Sequence, residues 1–303
     1  MTADTPTSAR AGGQPGPRAL TKLAEPIHAV TYYTRELTDL TDVGYRGWWH
    51  AYFAYRPAPM GAVSAGTVTA AFYNFAPRMV ERAVPGVWAI RSPADTVALR
   101  HERVATALAR IFGPPGAGSR PPAAASAARL LRRALDGLSV AGRPVFGAYA
   151  ELVWPADDLE AVWHGCTLLR ELRGDCHATA LAAAEVDGVM AHVLMAGRGH
   201  GNRPTIQAIR GWNDQEWDGA VARLDERGWT GRDGSLTDAG RQGRDAIERH
   251  TDALAMDPVN RLGTELGDLL AALEPVAGHL VTSGEVSATW PPPHLHRAEG
   301  GAR

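Results

Sequence analysis

Apolar positions recur at helical spacing along most of the chain, and strand-like alternation is confined to one short stretch. Leu23, Ile27 and Val30 predict a helix from Leu20 towards Tyr33, with Pro26 near its start, where no needed backbone donor is lost. The run WWHAYFAY, Trp48 to Tyr55, is apolar nearly all round, the pattern of a deeply buried helix, and Pro57 and Pro59 end it. Small residues predict a helix over 63–75, then a short one over 77–84. Ser92-Pro93 starts another that carries Val97, Leu99, Val104, Leu108 and Ile111. Further helices are expected over 125–138 and from about 143 to 152. Asp157 or Asp158 caps one holding Trp163, His164, Leu168 and Leu169. Arg173-Gly174-Asp175 is expected to interrupt it before helices over 177–185 and 189–195. Leu262, Leu266, Leu269, Leu270 and Leu273 form one stripe of a final helix over 261–280.

The stretch from Arg203 to Ala255 carries the most concordant local signals. Asn213 with Glu216 three residues on has the form of a capping box. Trp217, Ala220, Val221 and Leu224 then give one apolar face, and Gly228 is placed to end that helix. Asp233-Gly234 between two short runs, 229–232 and 235–237, predicts a β-hairpin. Thr237 or Asp238 caps the helix that follows. This order, with Leu224, Gly228, Asp233, Gly234, Leu236, Thr237, Gly240 and Arg241, resembles the wing region of MarR-like regulators. The whole chain is also similar to a family of actinobacterial proteins described only as helix-turn-helix proteins, on the stretches 25–32, 70–77 and 163–177.

The expected fold is therefore mainly α, with two helix-turn-helix-like halves, the C-terminal one a winged helix with a short β-hairpin. The halves rest on a shared order of motifs. Phe75-Ala76-Pro77 and Pro85-Gly86-Val87-Trp88 lead to a helix in one, and Arg203-Pro204 and Arg210-Gly211-Trp212 lead to a helix in the other. The expected division is a disordered tail over 1–18, an N-terminal half over 19–112, a linker over 113–124, a C-terminal half over 125–285 with the winged unit at 203–255, and a loose tail over 286–303.

Charge complicates a nucleic-acid role. The formal net charge is −2. Between Arg203 and Glu274 stand nine arginines and no lysine against fourteen carboxylates, and the helix over 214–227 is acidic. A DNA-binding face needs cations to neutralise phosphates, so DNA is a disfavoured partner. Arg227, Arg232, Arg241 and Arg244 are the cations placed to touch phosphate if it binds. No apolar run reaches membrane-spanning length and no signal peptide is legible, so a cytoplasmic location without a membrane partner is expected. Cys166 and Cys176 on one helix would lie about 15 Å apart, too far for a disulfide, and are expected as buried free thiols.

No metalloprotease, phosphate-loop, nucleophile-elbow or dinucleotide motif is present. Polar residues gather instead at His28, Tyr32, Tyr33, Tyr73 and Asn74, and at Trp163, His164, Arg170, Glu171, Arg173, Asp175 and His177. His28, His164, His177 and Asp175 are the candidate catalytic groups. Tyr32, Tyr73, Asn74, Trp163 and Arg173 are the candidate ligand-binding ones. The plainer readings are a His28 bonded to a carbonyl, an Arg173–Asp175 ion pair and a solvated Arg170–Glu171 pair. The sequence names no cofactor. A metal or haem on His28, His164 and His177 would require the halves to face one another. Trp48, Trp49, Tyr52, Phe53, Tyr55, Phe72 and Phe75 supply either core or the wall of an aromatic pocket. The expected function is binding of a small organic molecule between the halves, with an activity in specialised metabolism. The alternative is a ligand-responsive DNA-binding regulator of MarR type.

Overall fold

The computed structural model describes residues 16–38 and 41–287. The expected loose tail beyond 287 and nearly all of the tail before residue 18 lie outside them. The order begins with α1 (Pro17–His28), α2 (Val30–Tyr33), α3 (Arg35–Thr38), α4 (Trp48–Tyr55) and α5 (Ala65–Phe72). It continues with α6 (Pro77–Glu81), α7 (Val87–Ile90), α8 (Pro93–Phe112), α9 (Ala124–Leu135), α10 (Pro144–Ala150) and α11 (Asp158–Ala183). Last come α12 (Gly188–Ala196), α13 (Arg203–Arg210), α14 (Asp214–Glu226), α15 (Asp238–Leu254), α16 (Asp257–Leu262) and α17 (Leu266–Thr282). Proline marks the first turn of α1 at Pro17, and Pro26 sits in the last turn instead of the first, just before the chain breaks at Ala29.

The 26-residue α11 is the axis of the molecule. Asp157 starts it by accepting hydrogen bonds from the Leu159 and Glu160 amides at 3.0 and 3.2 Å. It runs unbroken through Arg173-Gly174-Asp175, where an interruption was expected. Its neighbours α1, α8, α9, α10 and α15 surround it, so it is buried on nearly every face and shows no polar stripe. Both cysteines lie on it as buried free thiols.

The larger core joins residues from Leu20 to Phe112 with residues of α9 to α11 and the C-terminal helices. A smaller core, with Leu181, Val193, Ile206, Trp217, Leu224 and Ile247, belongs to the trihelical unit α12–α14 and the helices flanking it. In the first expected half short helices lead to the 20-residue α8, whereas in the second α12 and α13 lead to the 13-residue α14.

The expected winged helix is not formed, because no β-strand occurs among the described residues. The capping box of α14 is present as read, with Glu216 N donating to Asn213 Oδ1 and Asn213 N donating to Glu216 Oε2, both at 2.8 Å. The Asp233-Gly234 turn is also present, but only one isolated bridge, Thr230 to Leu236, pairs its flanks. The reason is the nearness of α15. Thr237 caps α15 and also donates its hydroxyl to Gly228 O at 2.6 Å. A Cβ at Gly240 would stand 1.9 Å from Trp229 O, so the helix starts against the turn and leaves no length for a ladder.

Candidate polar recess between the N-terminal helices and the trihelical unit

Three arginines from distant parts of the chain meet beside α11. Arg56 follows α4, Arg170 lies on α11, and Arg210 ends α13. Arg56 donates from Nε and Nη2 to Glu171 Oε1 and Oε2 at 3.0 and 2.8 Å, a bidentate pair. Arg170 adds a bond to Glu171 Oε2 at 2.9 Å. Glu171 is fully buried and Arg56 is 6% exposed, so the expected solvated Arg170–Glu171 pair is instead part of an internal network. Burial pushes the Glu171 carboxyl up, but the Arg170 and Arg56 guanidiniums outweigh it and hold it well below the usual carboxylate range. Burial lowers the Arg210 guanidinium to about 10, still charged at neutral pH.

Aromatic rings brace these cations. Arg56 lies over the Phe72 ring at 4.0 Å and Arg210 over the Phe75 ring at 4.3 Å, both within cation–π range. The Tyr52 hydroxyl takes a further bond from Arg56 Nη1 at 3.0 Å. The recess that these groups line has a volume of about 140 Å³ and also touches Tyr73, Asn74, Gly174 and His177. Arg170, Gly174 and His177 also border a second, more open depression with Glu25 and Glu248.

Tyr73 gives the wall its shape. Its φ of 53° lies in the left-handed region, and Asn74 N bonds back to Phe72 O at 2.5 Å. This is a strained γ-turn. The trihelical unit α12–α14 and the chain leading into it hold it in place. Tyr73 donates its hydroxyl to Val186 O at 2.8 Å. The Asn74 carbonyl accepts from Trp212 Nε1 at 3.2 Å and lies 3.0 Å from His192 Nε2. Ala76 N donates to Arg210 O at 2.9 Å. A Cβ at Gly188 would stand 2.3 Å from Tyr73 O, so α12 can approach this closely only with glycine there.

The residues singled out from the sequence fall in several places. Tyr73, Asn74 and His177 line the recess. The His177 Nδ1 is 3.0 Å from Thr251 Oγ1, and burial lowers its pKa to about 4. Arg173 pairs with Glu248 and Asp252 of α15 at 3.0 and 2.7 Å, and not with Asp175. Asp175 accepts from Phe146 N at 2.8 Å, and burial raises it to about 6. His28 meets the Thr167 hydroxyl at 3.1 Å, not a carbonyl, and Tyr32 packs near Tyr52 with its hydroxyl unbonded. Trp163 donates to Thr31 Oγ1 at 2.8 Å, while His164 packs against Trp154. His164 and His177 are thirteen positions apart on one helix, about 20 Å, so the three histidines do not converge. No group of side chains able to hold a metal occurs among the described residues.

Arg56, Gly174 and Arg210 were not among the sequence candidates, whereas Tyr52 and Phe72 were read as core or the wall of an aromatic pocket. Gly174 carried a signal, since a glycine inside an apolar helix costs about 1 kcal/mol against alanine. A Cβ there would meet Arg170 Nη1 at 3.4 Å and Glu171 Oε2 at 3.7 Å, both ordinary contacts. Gly174→Ala is therefore expected to stabilise the fold by about 0.5–1 kcal/mol while narrowing the recess. Chemical denaturation checks the first effect, and a loss of stability would contradict it.

A larger concavity of about 790 Å³ lies across α12, α14 and the 232–235 turn, with Trp217, Val221 and Asp225 in its lining. It is an open groove, and its Arg203 is already bonded to Asp214 and Asp218. Among the described residues no single helix is long and apolar enough to cross a membrane. No curated protein and no solved structure matches the chain. A model described as the Helix-turn-helix family matches residues 17–287, and on that match, which covers nearly the whole described chain, the protein belongs to this helix-turn-helix family.

Proposed function

We propose that the protein binds a small organic anion in the recess between α4–α5, α11 and the trihelical unit α12–α14. The observation that carries this reading is the convergence of Arg56, Arg170 and Arg210, braced by aromatic rings, around a space that Glu171 alone does not fill. Arginine forks match carboxylate and phosphate oxygens. Small-molecule sites combine ring walls with a few placed polar groups. The recess is compact, so the ligand is of the size of a single-ring acid. Titration calorimetry of the full chain with benzoate and with benzamide at equal ionic strength tests this. Saturable binding of benzoate, absent for benzamide and weakened at least tenfold by Arg210→Gln, is the expected result. Equal behaviour of the acid and the amide would sink the reading.

A second reading, a ligand-responsive DNA-binding regulator, is favoured by the family itself. Against it stand the carboxylates of α14. Asp214 and Asp218 pair with Arg203, and Asp187 pairs with Arg223, so phosphate would compete with carboxylates for these exposed cations. If DNA is the target, the bonds from Trp212 and His192 to the recess wall are the route by which a ligand would bias the unit. Binding to fragmented genomic DNA separates the two readings. Enrichment of a discrete sequence that survives physiological salt supports the regulator. No enrichment at low or physiological salt removes it.

A further inference from the structure

We infer that the ligand of the recess carries a hydrogen-bond donor, a hydroxyl or amino group, beside its acid group, and that Asn74 is the residue that selects for it. The inference rests on the anion reading above and concerns the neutral end of the same site. The Asn74 side-chain oxygen is buried and has no donor, although Asn74 lines the recess. A buried acceptor without a partner is costly, and a donor supplied by a ligand in the recess would remove that cost. The protein does not lack nearby donors. Trp212 Nε1 lies within reach of the same residue but bonds to its backbone carbonyl, which His192 also contacts. Those contacts fix the backbone of Asn74 and leave the amide oxygen free. The strained turn at Tyr73 holds that backbone where a relaxed chain would not.

The recess then offers two kinds of chemistry. Arg56, Arg170 and Arg210 recognise an acid group, and Asn74 accepts from a donor. Tyr52 and Phe72 also line the recess and give it ring surface beside these groups. This fits an aromatic acid bearing a hydroxyl or amino substituent better than a bare acid or an inorganic anion. A site that contains an acceptor discriminates strongly against the analogue that lacks the donor, because the acceptor is then left unpaired.

The test compares benzoate with 3-hydroxybenzoate and 4-hydroxybenzoate by calorimetry on the full chain, with inorganic phosphate as a further probe. At least one hydroxy isomer is expected to bind about tenfold tighter than benzoate, the ratio set by one good hydrogen bond. Asn74→Ala is expected to remove that ratio, so that the hydroxybenzoates bind no tighter than benzoate does to the same variant. If benzoate binds and both hydroxy isomers bind equally well, this inference is overturned and the anion reading stands. Phosphate binding more tightly than every benzoate also overturns it. If no anion binds, the anion reading falls and takes this one with it. Should Asn74→Ala fail to fold, the comparison of ligands on the unmodified protein decides alone.

Discussion

Lowering the pH from 7 towards 4 is expected to destabilise the protein steeply, by roughly 4 kcal/mol per pH unit near pH 5. Four histidines, three of them buried and His177 half-buried, are held neutral by loss of solvent, and burial shifts His50 the same way. Burial holds His28 well below its ordinary value, His177 at about 4, and His164 and His192 at about 3. Each has a folded pKa below its unfolded value near 6.5. The stability each confers is thus present above pH 6.5 and is lost as pH falls towards the folded pKa. Asp175 acts in the opposite sense. Burial raises it to about 6, so its contribution is full below the unfolded value near 3.8 and is lost as pH rises through 6. At pH 5 unfolding should therefore take up roughly three protons, four from the histidines less one from Asp175. Glu171, held far below its ordinary range by Arg170 and Arg56 against the pull of burial, adds to the acid loss below about pH 4.5. Denaturant unfolding from pH 7 to 4.5 measures the slope. A flat profile between pH 6.5 and 5 would mean that the histidines are not buried as described.

Glu171→Gln is expected to cost about 3–5 kcal/mol, the range for breaking a buried ion pair from one side. Glutamine keeps the shape, but it leaves Arg56 with a neutral partner at a site where that arginine is only 6% exposed. Arg170 loses the same counter-charge. The loss should be smaller in the double variant Glu171→Gln with Arg56→Met than the two single losses added together, because the second change removes the charge that the first strands. Folding free energies of the four proteins check this. A loss below about 1 kcal/mol for Glu171→Gln would show that the pair is solvated and that the network does not hold the recess together.

The helices were legible where caps and prolines mark them. Ser92, Asp157, Asn213 and Thr237 cap α8, α11, α14 and α15 as their sequences suggest. What failed was reading strength into short local signals. Asp233-Gly234 does make a turn, but its flanks are drawn into Gly228 and α15, so no hairpin forms. Arg173-Gly174-Asp175 looks like a break, yet tertiary packing carries α11 straight through it. The site was half legible for a related reason. Tyr73, Asn74 and His177 stood out as polar residues in apolar surroundings. Arg56 and Glu171 are 115 positions apart, and α11 is buried on so many sides that its periodicity cannot show which face its charges share. Only the fold brings Arg210, at the end of a helix in another unit, to the same space.

The measurement that tests the central claim most directly is hydrogen–deuterium exchange of the full chain with and without saturating benzoate. Binding in the recess predicts added protection at residues 72–76, 170–178 and the end of α13 at Arg210, which line the recess or are bonded to its wall. Protection confined to α14 and the 232–235 turn would place the ligand in the larger groove beside Trp217 and would contradict the account.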